Sequence, residues 1–163
     1  SDAENGWRAT TSSMFQMSHE AALLHSESER EETFPPLYEG KMVAQFNHRA
    51  ANIVLNESNR ARQAIGEPAT VGELTDPSFS PAPRYWVNGS DLDKKLSEKS
   101  QHDWLVHFCA ITSPTNERTC ISCISPRVGA GNSLFQVYTE SEATGAALLV
   151  SNLNSLPLDF ILS

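Results

Sequence analysis

Trp104-Leu105-Val106-His107-Phe108-Cys109-Ala110-Ile111 is the stretch on which the fold turns. It is rich in aromatic and branched apolar residues, has no Gly or Pro, and reads as a buried strand. A polar segment with one proline, Thr112 to Arg118, follows at hairpin length, and then a second strand, Thr119 to Ile124. In that strand Cys120, Ser122 and Ile124 share one face, and Ile121 and Cys123 the other. Phe135 to Tyr138 reads as a further strand. Upstream, Arg84-Tyr85-Trp86-Val87 is a short strand and Asn88-Gly89 a turn. Ser90 is expected to cap a helix over Asp91 to Lys99, with acids early and lysines late as the helix dipole prefers. Downstream, Ala143, Ala146, Ala147, Val150 and Leu153 recur near helical period, which predicts a helix over Ser141 to Leu153. Asn154-Ser155 ends it, and Pro157 opens a second helix, Leu158 to Leu162. The chain is expected to be α+β: a small mixed β-sheet flanked by helices.

The first half is less regular. Met42, Ala44 and Phe46 alternate with Val43, Gln45 and Asn47, a weak strand pattern after a turn or bulge at Gly40. Asn52 to Ala82 is rich in Asn, Ser, Gly and Pro and reads as a long irregular connection with one helical turn. Phe34-Pro35-Pro36 forces an extended segment. Residues 1–33 form a peripheral N-terminal segment, with Ser18 as a possible cap for a short helix through Leu24. The whole of 1–163 is expected to be one domain.

Composition sets the class. The 163 residues are 39% hydrophobic and 20% charged, enough to bury a core. No apolar run approaches the roughly 18 residues a membrane helix needs. Ser1 to Gly6 is polar and acidic, which predicts no signal peptide. Three cysteines are an odd number, which points to a reducing compartment, so a cytoplasmic location without membrane contact is expected. The net charge of −8 disfavours nonspecific binding to nucleic acid or anionic membrane by the chain as a whole. The charge is uneven: residues 1–40 carry −6, whereas 41–62 carry +3. A local basic face on an acidic molecule is therefore expected.

Catalytic signatures are missing. Gly129-Ala130-Gly131 lacks both the P-loop lysine and the third glycine of a dinucleotide site. No Gly-x-Ser-x-Gly elbow occurs. Phe34-Pro35-Pro36-Leu37-Tyr38 superficially matches the Asn/Asp-Pro-Pro-Tyr motif of amino-methyltransferases, but Phe34 stands where the polar side chain must hold the target amine. Cys120 and Cys123 form a Cys-x-x-Cys pair with His102, His107 and Cys109 upstream, yet residues three apart on a strand point to opposite faces, so no zinc site is expected. Buried structural thiols are the plainer reading.

Four phrases carry a resemblance. They are Pro36-Leu37-Tyr38-Glu39-Gly40-Lys41-Met42 with Gln45-Phe46-Asn47-His48-Arg49; Pro83-Arg84-Tyr85-Trp86-Val87; Asn116-Glu117-Arg118-Thr119 leading to Ile124-Ser125-Pro126; and Leu148-Leu149 with Leu153-Asn154-Ser155 and Asp159. Their order and spacing resemble Eco57I-like adenine-specific DNA methyltransferases and restriction–modification methylase subunits, in the C-terminal, TaqI-like target-recognition region. Trp7 with Met14-Phe15-Gln16-Met17 resembles the segment just upstream. The sequence departs from the family at Asn47, where Asp is usual, and at Gly40, where Ala is common.

The resemblance implies a noncatalytic DNA target-recognition domain, a fragment of a larger protein. Its partners would be double-stranded DNA and a methyltransferase domain N-terminal to it in the same polypeptide. It implies no cofactor in this fragment and S-adenosylmethionine in the parent. A domain that reads DNA needs cations for phosphates and planar hydrogen-bonding groups for base edges. The candidate cations are Lys41, Arg49, Arg84, Arg118 and Arg127; the candidate base or backbone contacts are Gln45, Asn47, His48 and Asn116. Arg60 and Arg62 lie in the polar connection. Each has a structural alternative: Arg49 and Arg118 can pair with Glu39 or Glu117, Asn47-His48-Arg49 can be a turn, and Tyr85 and Trp86 can be core. The alternative function is a protein-interaction or structural module of a phage-defence methylase complex, with acidic residues 1–40 as its surface.

Overall fold

The strands expected over 104–111 and 119–124 do pair, with observed bounds of Trp104–Cys109 and Ser122–Pro126, and a third strand joins them. The computed structural model describes residues 33–55, 64–110 and 118–162. The expected segment 1–32, the hairpin connection through Asn116, and Arg60 and Arg62 lie outside the described residues.

In chain order the elements are β1 (Pro36–Tyr38), a 3-10 turn (Gly40–Met42), β2 (Ala51–Val54), β3 (Ile65–Pro68), α1 (Val71–Thr75), β4 (Tyr85–Trp86), α2 (Gly89–Ser97), β5 (Trp104–Cys109), β6 (Ser122–Pro126), β7 (Gly129–Ala130), β8 (Leu134–Val137), α3 (Ala143–Leu153) and α4 (Leu156–Leu162). The architecture is α+β. Instead of one mixed sheet, the strands form three small ones: β4-β1-β7, β2-β3 and β6-β5-β8.

The central sheet is antiparallel, with Val106 opposite both Ile124 and Val137. Directly paired residues share a face. One face carries Leu105, His107, Cys123 and Leu134; the other carries Trp104, Val106, Ile124 and Val137. Both are covered. Val106 packs with Ala146 and Val150 of α3, and Leu105 packs with Val87, Leu92 and Leu96 at α2. Cys123 and Leu134 join Tyr38, Met42 and Ile53 in the largest core cluster. Burial on both faces explains why β5 reads as a continuous apolar run instead of an alternating one.

Several boundaries differ from expectation for identifiable reasons. Asn88, not Ser90, caps α2: its Oδ1 accepts from the Asp91 N–H at 3.2 Å. The 52–82 region holds the β2–β3 ribbon and α1. That ribbon pairs Ala51 with Pro68 and Val54 with Ile65. It is anchored by contacts distant in sequence: Ile53 N–H donates to Ala82 O at 2.8 Å, and Asn52 bridges the Ala82 N–H to the Glu73 carboxylate. Local propensity does not encode such anchors. α1 starts on a reciprocal capping box between Thr70 and Glu73.

The 42–46 alternation is not a strand. After the 3-10 turn, Ala44 and Asn47 exchange both backbone hydrogen bonds, at 2.8 and 3.0 Å, around Gln45 and Phe46. Phe46 has φ 61°, the only positive φ of a non-glycine among the described residues. A negative φ at the first central position and a positive one at the second is the pattern of a type II turn, which favours Gly or Asn where Phe46 stands. A bulky residue there costs about 1–2 kcal/mol.

Gly40 sits where its N–H donates to Ser133 Oγ at 2.9 Å, and a Cβ added to it would lie 2.7 Å from Ser133 O. A side chain at position 40 would meet the close approach of the 131–134 turn.

Candidate nucleic-acid interface

The phrase Gln45-Phe46-Asn47-His48-Arg49 occupies one turn and its exit, seated on the start of β6. Gln45 Nε2 donates to Cys120 O at 3.1 Å, and the Phe46 N–H donates to Ser122 O at 2.9 Å. Asn47 Oδ1 accepts from the Arg49 N–H at 2.8 Å. This is an Asx turn, which an aspartate would close equally well.

Each of the described candidate cations has an internal partner among the described residues, and these partners differ in kind. Lys41 Nζ lies 3.0 Å from Glu39 Oε2 and donates to Ala64 O at 2.7 Å. Glu39 is thus taken by Lys41 and not by Arg49. Arg49 instead spans the end of α1, donating to Leu74 O at 3.2 Å and Asp76 O at 2.8 Å, with its guanidinium carbon over the Phe79 ring, 5.9 Å from the centroid. Arg127 does the same for α2, donating to Ser100 O at 3.2 Å and His102 O at 2.8 Å. Both guanidinium groups meet backbone carbonyls at or beyond a helix C-terminus, where positive charge is favoured. Among the described residues neither forms an ion pair with a carboxylate. Arg118 pairs with Asp159 at 3.5 Å. Arg84 stacks over the Tyr85 ring at 4.9 Å and has no carboxylate partner among the described residues. Asn116 lies outside the described residues.

His48 is half-buried. Burial and then the Arg49 charge lower its pKa, against a raising hydrogen bond at the Ile124 backbone. It lies close enough to His107 for His107 to feel its charge. His107 is fully buried in β5. Ser125 Oγ donates to Pro126 O at 2.7 Å, so it accepts from His107 Nε2–H at 2.8 Å. The ring is then neutral, and its buried Nδ1 has no hydrogen-bond partner. Burial, followed by the charge of His48, pushes the His107 pKa down to about 4.

Two polar anchors were not singled out from the sequence as site residues, although both lie in the resembling phrases. Asn154, buried at the end of α3, pairs its side-chain amide with both backbone groups of Ser122, at 2.9 and 2.8 Å, as a neighbouring strand would. Asp159 on α4 accepts from the backbone N–H groups of Thr119 and Cys120 at 2.7 and 3.1 Å. These N–H bonds, Cys120's foremost, hold its carboxyl below the usual range against the opposing effect of burial. The chain distances involved, 32 and 40 residues, hide both from sequence patterns.

Between the central sheet and α3–α4 lies a cleft of about 400 Å³, walled by Phe108, Val137, Leu149, Leu153 and Leu162, with Cys109 and Cys120 at its floor. The Cys-x-x-Cys thiols part company here: Cys120 borders the cleft, whereas Cys123 is fully buried in β6. Among the described residues no group of three His, Cys, Asp or Glu side chains is placed to hold a metal ion. Leu148, Leu156, Phe160 and Ile161 are exposed on the outer side of α3 and α4. No single described helix is long and apolar enough to cross a membrane; the α3–α4 pair is bent by 53°.

Comparison of the chain with protein-family models, with characterised proteins and with solved structures finds no match.

Proposed function

We propose that the chain is the noncatalytic DNA target-recognition domain, of the TaqI-like kind, of an adenine-specific methyltransferase or restriction–modification protein. What carries the reading is that three of the four resembling phrases, far apart in sequence, meet in one packed unit. Gln45 and Phe46 reach Cys120 and Ser122, Asn154 reaches Ser122, and Asp159 reaches Thr119. Phrases that assemble a common frame are expected to recur in order at fixed spacing. In this reading the frame residues Lys41, Gln45, Asn47, Arg49, Arg118 and Arg127 position the domain's surfaces, and the duplex is met by groups not spent on the frame. Arg84 is one. Arg60 and Arg62, which the sequence places between β2 and β3, are others. The parent's catalytic domain would supply S-adenosylmethionine and act on a flipped adenine.

The test is titration of labelled duplex at low and moderate salt. Affinity that falls steeply with salt supports the reading, and Arg84→Ala should reduce the slope of log K against log salt by about one. Absence of binding at low salt, for this chain and for a longer polypeptide carrying the catalytic domain, overturns it.

The exposed apolar side chains of α3 and α4 favour a second reading, a protein-interaction module of a methylase complex. Salt-insensitive binding to another subunit, lost in Phe160→Gln, with no duplex binding, would select it.

A further inference from the structure

Phe46 carries two penalties at once. Its backbone lies at φ 61°, in the left-handed region that Gly or Asn would fill without strain, and the residue is 61% exposed. Neither is forced by the frame. The turn is closed by the backbone bonds between Ala44 and Asn47, and the seat on β6 is made by the Phe46 N–H and the Gln45 amide. A glycine or asparagine at this position would keep all of those bonds. The phenyl ring is therefore what the sequence retains at the cost of stability, and strain held against an easy alternative is characteristic of functional positions. The ring stands on a rigid two-residue turn, so it is presented in a fixed direction with little freedom left to lose on binding.

We infer that Phe46 is a contact residue for nucleic acid, placing its ring against an exposed base face or wedging it into a base step of the duplex. The inference rests on the DNA-recognition reading above. An aromatic face binds bases without hydrogen-bond readout, and apolar wedges open base steps in several classes of DNA-binding protein. Beside it, Gln45 Nε2 and Asn47 Oδ1 each hold a bond that fixes the turn. The phenyl ring gives this turn an exposed apolar surface, which suits stacking.

The test compares the intact chain with Phe46→Gly and Phe46→Asn, using a labelled random-sequence duplex containing 2-aminopurine in place of some adenines. The wild-type chain should bind at low salt and raise the 2-aminopurine fluorescence as a base unstacks. Both variants should melt at or above the wild-type temperature, keep the salt slope, lose about tenfold in affinity and lose the fluorescence rise. Variants that bind and unstack as the wild type does overturn the inference while leaving the DNA reading standing. Variants that melt well below the wild type also overturn it, because the ring is then a packing residue. A wild-type chain that binds no duplex, alone or with its catalytic domain, removes the DNA reading and the inference together.

Discussion

Asp159 Oδ1 lies 2.7 Å from the Thr119 backbone nitrogen, so a side chain on the last helix holds the backbone that leads into β6. The same carboxylate takes the Thr119 hydroxyl at 2.8 Å and the Cys120 N–H at 3.1 Å, with Arg118 at 3.5 Å. Three hydrogen bonds from fixed donors outweigh one long ion pair to a mobile side chain. Asp159→Ala should therefore lower the melting temperature clearly and loosen α4, whereas Arg118→Ala should change it little. Because folding lowers the Asp159 pKa, its contribution is present above the unfolded value of 3.8 and is lost as pH falls through the folded one. Melting curves at pH 7 and pH 3 check both points: the gap between wild type and Asp159→Ala should shrink at the lower pH.

His107 gives the opposite type of titration a similar outcome. A histidine whose folded pKa, about 4, lies below the usual 6.5 binds its proton more readily when unfolded. Stability is complete above 6.5 and declines as pH descends towards 4, by about 3 kcal/mol for this group. Burial is the main cause, followed by the charge of His48, and among the described residues Nδ1 has no partner to accept a proton's bond. His48, shifted the same way, adds to the slope. Urea midpoints measured between pH 4 and 7.5 should fall with pH in the wild type and fall less in His107→Gln.

The arginines should sort into two groups. Arg49 and Arg127 tie off α1 and α2 through backbone carbonyls, and losing those charge-assisted bonds should cost about 1–2 kcal/mol each. Arg84, held only against the Tyr85 ring, should cost little on removal. In the proposed reading the order reverses for duplex binding. Arg84→Ala weakens it, whereas Arg49→Ala and Arg127→Ala, assayed well below their melting temperatures, do not. Thermal denaturation and fluorescence titration of the three variants separate the groups; equal effects on both measurements would contradict the sorting.

The cysteines differ in reactivity by burial. Burial raises the Cys109 thiol to about 11 and the Cys123 thiol to about 12, each with a further push from a neighbouring cysteine. Cys120, on the cleft, is the least buried and is raised less. A thiol reagent at pH 8 should therefore modify Cys120 first, Cys109 more slowly because its thiol is raised to about 11, and Cys123 only on unfolding. Mass mapping of the modified residues at short times is the measurement, and Cys120→Ser should abolish the fast phase.

Sequence alone determined the parts whose information is local. The apolar run at 104–109, the periodic alanines and valine of 143–153, and the charge order of the α2 segment each specify their own secondary structure, because period and composition act over a few residues. The acidic charge and the missing nucleotide and elbow motifs were equally plain. Tertiary structure alone decided how the strands divide into three sheets, since pairs such as Leu37 with Gly129 join residues far apart in the chain. It also decided what the candidate cations do. Whether an arginine reaches solvent or caps a helix depends on which carbonyls the fold brings beneath it, and the carbonyls under Arg49 come from Leu74 and Asp76, more than a score of residues downstream. The turn at Phe46 was hidden for a related reason: a type II turn with phenylalanine in the glycine position violates local preference, and it is held by backbone bonds across the turn and to β6 and by the Gln45 amide to Cys120 O.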